Sequence, residues 1–328
     1  MATRRVFLTG ATGFVGRHVA RALREDRWSV RALCRRSPSA AAGAPADPGF
    51  ETVVGDLSST AELEAGLADC EAIVHVAGLV KARTLEEYRL VNRRGTERLV
   101  RAGLSRAPNA LFLLVSSQAA AGPARDGRPV TEDDPARPVS WYGVSKREGE
   151  EAVASDWRGP WIILRPGVLY GPGDRGLLTY FRLAASGWLP IPAARTRIQM
   201  GAVEEFALAV ARALRRPDLA GRRGFLCDPA PLALRDLGLA LATLPARRPR
   251  LVPIPNTVVR LAGLFETVRE SLTGRSRPFN ADKARELLAG DWLCDPTPMR
   301  TDLALPAPAP LAEGLRQAWD WYRAAGWL

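Results

Sequence analysis

Short apolar runs alternate with longer amphipathic stretches through the first half of the chain. The runs Val6–Thr9, Ser29–Cys34, Glu51–Val54, Ala72–His75, Leu111–Ser116 and Trp161–Arg165 are short and mostly rich in Val, Ile and Leu, as strands buried between layers are. Between them, helical spacing predicts helices after the first strand, over Ser59–Leu67, over Glu86–Ser105 and over Trp141–Ser155. Strands joined by helices must run parallel through right-handed crossovers, so the expected fold class is α/β, a doubly wound parallel sheet. After Tyr170–Gly176 (YGPGDRG) the alternation fades and Pro and Trp become frequent, which predicts a smaller mixed C-terminal lobe. Within that lobe Val258, Leu261, Ala262, Phe265, Val268 and Leu272 recur at helical spacing. Such a stripe can face a membrane or a partner; the expectation here is that it packs on its own lobe. A last helix is expected over Leu311–Trp321, and Ser37–Gly49 (SPSAAAGAPADPG) has the composition of an exposed loop.

The turn after the first strand reads TGATGFVG, with glycines at 10, 13 and 16. A strand, a glycine-rich turn and a helix in this order give a tight bend, close backbone approach to a pyrophosphate, and phosphates at a helix N-terminus. Thr9, Gly10, Thr12, Gly13, Phe14, Val15 and Gly16 are therefore expected to hold a dinucleotide, and residues 1–174 to form a Rossmann domain. Segments from 197–228 are expected to return to it, and residues 175–328 to make the substrate lobe. At the end of the second strand an NAD site normally places an acid on the ribose. Here the sequence is SVRALCRRS: Cys34 stands at that position and Arg35 and Arg36 follow, which predicts NADP (NADPH) rather than NAD.

Composition narrows the partners. The 328 residues carry a formal net charge of +11, but the arginines are dispersed as pairs with no aromatic-studded basic stripe, so nucleic acid is not expected. An anionic cofactor is the better use of that field. No run approaches the roughly 18–20 apolar residues of a membrane span. The first strand begins almost at once with RRVFLTG, leaving no room for a signal peptide, so a cytoplasmic protein is expected. Cys34, Cys70, Cys227 and Cys294 show no CxxC spacing and neither His18 nor His75 lies near a Cys, so no metal site is expected. His75 is expected to be structural or to line the cofactor.

Only three lysines occur in a chain that otherwise uses arginine, and Lys146 stands four residues after Tyr142 in YGVSK. On a helix the two side chains share a face. A compact ammonium beside a phenol favours phenolate, which would make Tyr142 an acid for a carbonyl or a base for an alcohol. The fifth strand ends in FLLVSSQAAAG, which puts Ser116 and Ser117 at the sheet edge where ligands of doubly wound folds bind. A hydroxyl there can stabilise a developing oxyanion.

Taken together, TGATGFVG, GDL (55–57), HVAG (75–78), VNRRGT (91–96), VSSQAAAGP (115–123), YGVSK (142–146) and RPGVLYGPGD (165–174) resemble the extended short-chain dehydrogenase/reductases of the NAD-dependent epimerase/dehydratase superfamily. The resemblance covers about the first 175 residues. It implies that Tyr142 is the proton donor, that Lys146 holds the nicotinamide ribose and lowers the tyrosine pKa, and that Ser117 rather than Ser116 is the catalytic hydroxyl. It further implies that Asp56 and Leu57 flank the adenine, that Ala77, Gly78, Pro166, Gly167 and Val168 line the cofactor, and that Asn92 fixes the helix behind the site. Homodimers through the helices of Asn92 and Tyr142 are also implied.

Two enzymatic branches of that family compete. Where sugar-nucleotide epimerases and dehydratases carry an Asn, this chain has Val168, which cannot hydrogen-bond a sugar. That position, SSQAAAGP and the arginine pair resemble the branch of 3β-hydroxysteroid dehydrogenases and dihydroflavonol reductases. The expected activity is hydride transfer between NADP(H) and a bulky apolar ketone, aldehyde or secondary alcohol; the alternatives are an epimerase/dehydratase and a non-catalytic NADP-binding scaffold or sensor. Gln118, Val168 and Trp188 are the expected substrate contacts, with Phe181, Leu183, Leu189 and Ile191 as further pocket candidates.

Overall fold

Each apolar run of the first half forms a strand, and except for the edge strand at Glu51–Val54 the two faces of each feed two different cores. In the computed structural model, which describes residues 4–36, 50–192, 196–277 and 279–328, the order is β1 (Arg5–Thr9), α1 (Phe14–Glu25), β2 (Ser29–Cys34), β3 (Glu51–Val54), α2 (Thr60–Leu67), β4 (Ala72–His75), α3 (Leu85–Asn92), α4 (Arg94–Arg106), β5 (Leu111–Val115), α5 (Trp141–Asp156) and β6 (Trp161–Pro166). There follow β7 (Val168–Tyr170), α6 (Leu178–Ser186), β8 (Trp188–Pro192), β9 (Arg197–Ile198), β10 (Met200–Ala202), α7 (Val203–Ala213), β11 (Arg222–Leu226), β12 (Leu232–Ala233), α8 (Leu234–Leu241), β13 (Arg250–Ile254), α9 (Asn256–Thr273), α10 (Ala281–Leu287), α11 (Thr297–Asp302) and α12 (Leu311–Ala324). The Ser37–Gly49 loop lies outside the described residues.

The main sheet has the order β11-β6-β5-β4-β1-β2-β3, all parallel. Alternation along β1 sorts its side chains: Val6 and Leu8 join the core under α1 and α7, while Phe7 joins the core under α2, α4 and α5. The strand order reverses between β1 and β4, with β2 and β3 added on one side and β5 and β6 on the other, so ligands belong at the C-terminal ends of those strands. The second lobe is built around Phe181, Leu189, Leu237, Trp319 and Tyr322, and the Tyr322 hydroxyl donates to the Asp174 carbonyl at 2.7 Å.

Two helical expectations need correction. The helix expected over Glu86–Ser105 is divided at Arg93 into α3 and α4. There the Thr96 hydroxyl donates to the Asn92 carbonyl at 2.8 Å, a back-bond of the kind that bends helices. The apolar stripe of α9 does not pack on its lobe: Val258, Leu261, Phe265, Val268 and Leu272 are exposed. The buried face is instead Val259, Gly263 and Glu270. Gly263 allows α10 to approach so closely that a Cβ there would lie 2.7 Å from Ala284 Cβ, and Glu270 is held by the Arg277 amide (2.5 Å) and the Asn280 amide group (3.3 Å).

His75 is a strut at the sheet's crossover. Its Nδ1 lies 2.6 Å from Thr9 Oγ1, which also accepts from the Ala77 amide at 3.2 Å; its Nε2 lies 3.0 Å from Thr96 Oγ1. Because Thr96 spends its proton on Asn92, the chain of donors assigns the imidazole proton to Nε2 and makes Nδ1 the acceptor. Burial, reinforced by the Lys146 charge, lowers the His75 pKa to about 3. The imidazole is therefore neutral in the fold but takes up a proton in the unfolded chain below about pH 6.5. Stability should fall as pH drops from 7 to 5, by up to about 1.4 kcal/mol per pH unit below pH 6.5. Denaturant midpoints at the two pH values check this; His75→Gln should remove most of the difference, and an equal pH response in that variant would contradict it.

Candidate active site

The glycine loop is shaped by contacts that a side chain would destroy. Gly10 has φ +78, and a Cβ on it would lie 2.7 Å from the Ala77 amide nitrogen; one on Gly16 would lie 2.0 Å from the Gly10 carbonyl oxygen. Gly13 caps α1, so Thr9, Gly10, Thr12, Gly13, Phe14, Val15 and Gly16 surround the amino end of that helix at the sheet's C-terminal edge. Ala77 and Gly78 follow β4, and Pro166, Gly167 and Val168 end β6 and enter β7 on the same edge. A Cβ on Gly78 would meet Asn92 Oδ1 at 3.3 Å and Lys146 Nζ at 3.6 Å, which links the floor of the loop to α5. This backbone-lined cradle at a helix N-terminus fits a dinucleotide.

Arg35 and Arg36 are exposed at the end of β2. Asp56, after β3, accepts from the Ser58 amide (2.7 Å) and hydroxyl (2.5 Å), and these bonds, with a smaller effect of the Arg35 charge, hold its carboxyl below the usual range. Leu57 packs on Gly95, where a Cβ would come within 2.7 Å of it. Asn92 is buried: its amide donates to the Leu79 carbonyl and to Ser145 Oγ, both at 2.9 Å, and its oxygen accepts from the Leu79 amide at 2.7 Å. It thereby ties the segment after β4 to α5.

The two serines ending β5 point to different tasks. Ser116 donates to Glu150 at 2.6 Å, and the same carboxylate takes Arg165 Nε (2.9 Å) and Nη2 (2.7 Å) in a fully buried ion pair. Ser117 instead lines a cavity that Tyr142 also lines, its Oγ accepts from the Ala119 amide at 3.1 Å, and its hydroxyl acts to lower the Tyr142 pKa. On α5, Ser140 accepts from the Gly143 amide at 3.0 Å, and Asp282, from the second lobe, accepts from the Trp141 amide at 2.9 Å. Both bonds satisfy otherwise orphaned donors at the start of the helix.

One expectation about this pair is reversed. Burial pushes the Tyr142 phenol up to about 12, against the lowering effect of its Ser117 hydrogen bond, and Lys146 is not among the groups that shift it. Lys146 Nζ donates to the Val115 carbonyl at 2.7 Å, and burial lowers its pKa to about 8, opposed by Glu150. Desolvation, acting on both groups, outweighs the expected coupling between them.

Ser117 and Tyr142 lie at the wall of a cavity of about 760 Å³ that reaches into the second lobe. Gln118 and Val168 line it, and the Gln118 amide nitrogen is buried without a partner among the described residues. Leu183, Leu189 and Ile191 line it as well, whereas Phe181 is buried against Trp319 and Tyr322. Trp188 is not brought to the cavity: it is 55% exposed, with the Arg250 guanidinium 5.6 Å above its ring. Strand alternation along β8 turns Leu189 and Ile191 inward and Trp188 outward. The sequence reading missed Tyr88, whose ring lies 6.0 Å from that of Tyr142, and the α10 residues Asp282, Lys283 and Glu286. Tyr88 had a signal in its i, i+4 spacing from Asn92. The α10 residues had none, because they meet α5 across more than a hundred residues of chain.

Among the described residues there is no cluster of His, Cys, Asp and Glu that could hold a metal, and no helix long and apolar enough to cross a membrane. Residues 6–224 match the NAD dependent epimerase/dehydratase family. The chain is 37% identical to the ceramide reductase of Caulobacter vibrioides, with 98% of this chain and 96% of that protein covered. It is 30% identical to the 4-hydroxy-2-methyl-3-oxo-4-farnesyl-3,4-dihydroquinoline-1-oxide ketoreductase of Stigmatella aurantiaca, with 87% and 91% covered. In fold it is similar to the crystal structure of gox2253 over the full length of both chains, with a TM-score of 0.80 at 23% identity. A glycine cradle at the crossover, a Ser-Tyr-Lys cluster and relatives matched end to end place this chain in the NAD dependent epimerase/dehydratase family, as an enzyme of the extended short-chain dehydrogenase/reductase type.

Proposed function

We propose that the protein is an NADPH-dependent ketoreductase that converts a ketone on a long-chain apolar compound, such as an oxo-ceramide, to the secondary alcohol. The observation that carries this reading is the large cavity, walled by aliphatic side chains from α6, β8 and α8, that ends at Ser117 and Tyr142. The ceramide reductase and the farnesylated-quinoline ketoreductase among its relatives are both named for bulky apolar substrates, which supports it.

The bound nicotinamide would supply hydride to the carbonyl carbon. The glycine loop would hold its pyrophosphate, Lys146 the ribose, and Pro166 and Gly167 the ring edge. Ser117 would donate a hydrogen bond to the carbonyl oxygen, and Tyr142 would transfer its phenolic proton to that oxygen as the new C–H bond forms. A phenol raised to about 12 is protonated at neutral pH, which suits the donor role. The Lys146 ammonium, one helical turn from Tyr142, would stabilise the phenolate as it develops. The exposed Arg35 and Arg36 at the end of β2 are suited to a 2′-phosphate, the basis for NADPH over NADH.

Tyr142→Phe should lower kcat/KM by about 10²- to 10⁴-fold while NADPH still binds, as read by quenching of intrinsic fluorescence. Undiminished turnover would sink the proton-donor role. Replacing Arg35 and Arg36 together by Ala should raise KM for NADPH by about tenfold or more and leave KM for NADH nearly unchanged. Equal effects on the two cofactors would refute the phosphate assignment. An NADPH-oxidation screen over long-chain ketones, with nucleotide sugars as the contrast, tests the substrate class, and turnover of the sugars alone would overturn it.

A further inference from the structure

The apolar stripe of α9 is unpartnered: Leu261, Leu264, Phe265, Val268, Val258 and Leu272 all stand exposed, with Leu272 at 82%. We propose that this face seats the protein on an anionic lipid bilayer and brings the mouth of the cavity to the bilayer surface. The proposal rests on the long-chain reading of the substrate.

Continuity with the cavity is the first argument. The chain leaving α9 supplies Arg277, Phe279 and Asn280 to the cavity wall, and Val80 and Lys81 line the same cavity from the segment after β4. These segments touch: Asn280 donates to the Ala82 carbonyl at 3.4 Å, and a Cβ on Gly274 would lie 3.9 Å from Arg83. Val80 is itself 64% exposed, so these contacts set an exposed apolar residue of the cavity segment close to the C-terminal end of α9. A long-chain molecule leaving a bilayer under α9 would meet the cavity without crossing water.

Charge is the second argument. Arg260 and Arg275 are exposed and carry no ion pair among the described residues. The helix's two carboxylates are used up: Glu266 pairs with Arg269 and Arg277, and Glu270 is buried. Apolar residues rimmed by uncompensated arginine are what an anionic headgroup layer attracts. A second copy packed on the same face would bring like-charged arginines together with no acid to meet them, although Val258, Leu261, Phe265, Val268 and Leu272 have the 3-4 spacing of a helix-pairing seam.

The test is co-sedimentation of the full chain, without cofactor or substrate, with vesicles of equal parts phosphatidylglycerol and phosphatidylcholine and with vesicles of phosphatidylcholine alone. The parent should bind the anionic vesicles more tightly, and the double variant Leu261→Glu, Phe265→Glu should lose about tenfold or more of that binding. An unchanged melting curve shows that the variant is folded. Arg260→Glu with Arg275→Glu should abolish the preference for phosphatidylglycerol. No binding by the parent, equal binding by the folded Leu261/Phe265 variant, or a dimer in sedimentation velocity that this variant splits would each overturn the proposal. Turnover of a water-soluble ketone, measured without vesicles, tests the reductase reading separately.

Discussion

The buried ion pair between Glu150 and Arg165 organises the active site. Two charges removed from water are tolerated only when they are paired and hydrogen-bonded, and here the Ser116 hydroxyl and two guanidinium nitrogens, Nε and Nη2 of Arg165, converge on one carboxylate. That match joins the ends of β5 and β6 to the middle of α5. Ser116 is consumed by it, so the next residue, Ser117, is the hydroxyl that faces the cavity. Glu150 lies one turn beyond Lys146, and the same registration sets the ammonium against the last carbonyl of β5. Removing one partner from such a pair generally costs about 3–5 kcal/mol, because the other charge is left buried and alone.

The second lobe completes the site rather than merely covering it. Asp282 reaches the start of α5 and accepts from the Trp141 amide, so the helix that carries Tyr142 and Lys146 is held from both lobes. Burial raises the phenol and lowers the ammonium. The helix that follows β13 turns its apolar stripe away from this lobe, because Gly263 and Glu270 are what α10 accepts.

Most of the Rossmann half was legible because its signals are local. Strands buried on both faces write unbroken apolar runs, and the glycine loop, Tyr142 and Lys146 sit in short motifs whose spacing the backbone dictates. The readings that failed depended on what lies across the fold. Helical spacing marked the α9 stripe correctly but could not say which face meets a neighbour. Trp188 stands among the apolar pocket candidates of the second lobe, but strand alternation at β8 turns it outward. The spacing to Lys146 speaks of one neighbour four residues away, whereas burial dominates the Tyr142 pKa. Asp282 and Glu286 left no trace near α5 in the sequence, since their contacts exist only once both lobes have folded.

Isotope transfer tests the proposed chemistry most directly. The protein is incubated with NADPH carrying deuterium at the transferable C4 position and with an oxo-ceramide dispersed in detergent, and the lipid product is examined by mass spectrometry. One deuterium on the new carbinol carbon, in amounts equal to the NADP⁺ formed, is the predicted result. An unchanged lipid, or cofactor oxidation with no deuterium in the product, would contradict the assignment of a ketoreductase.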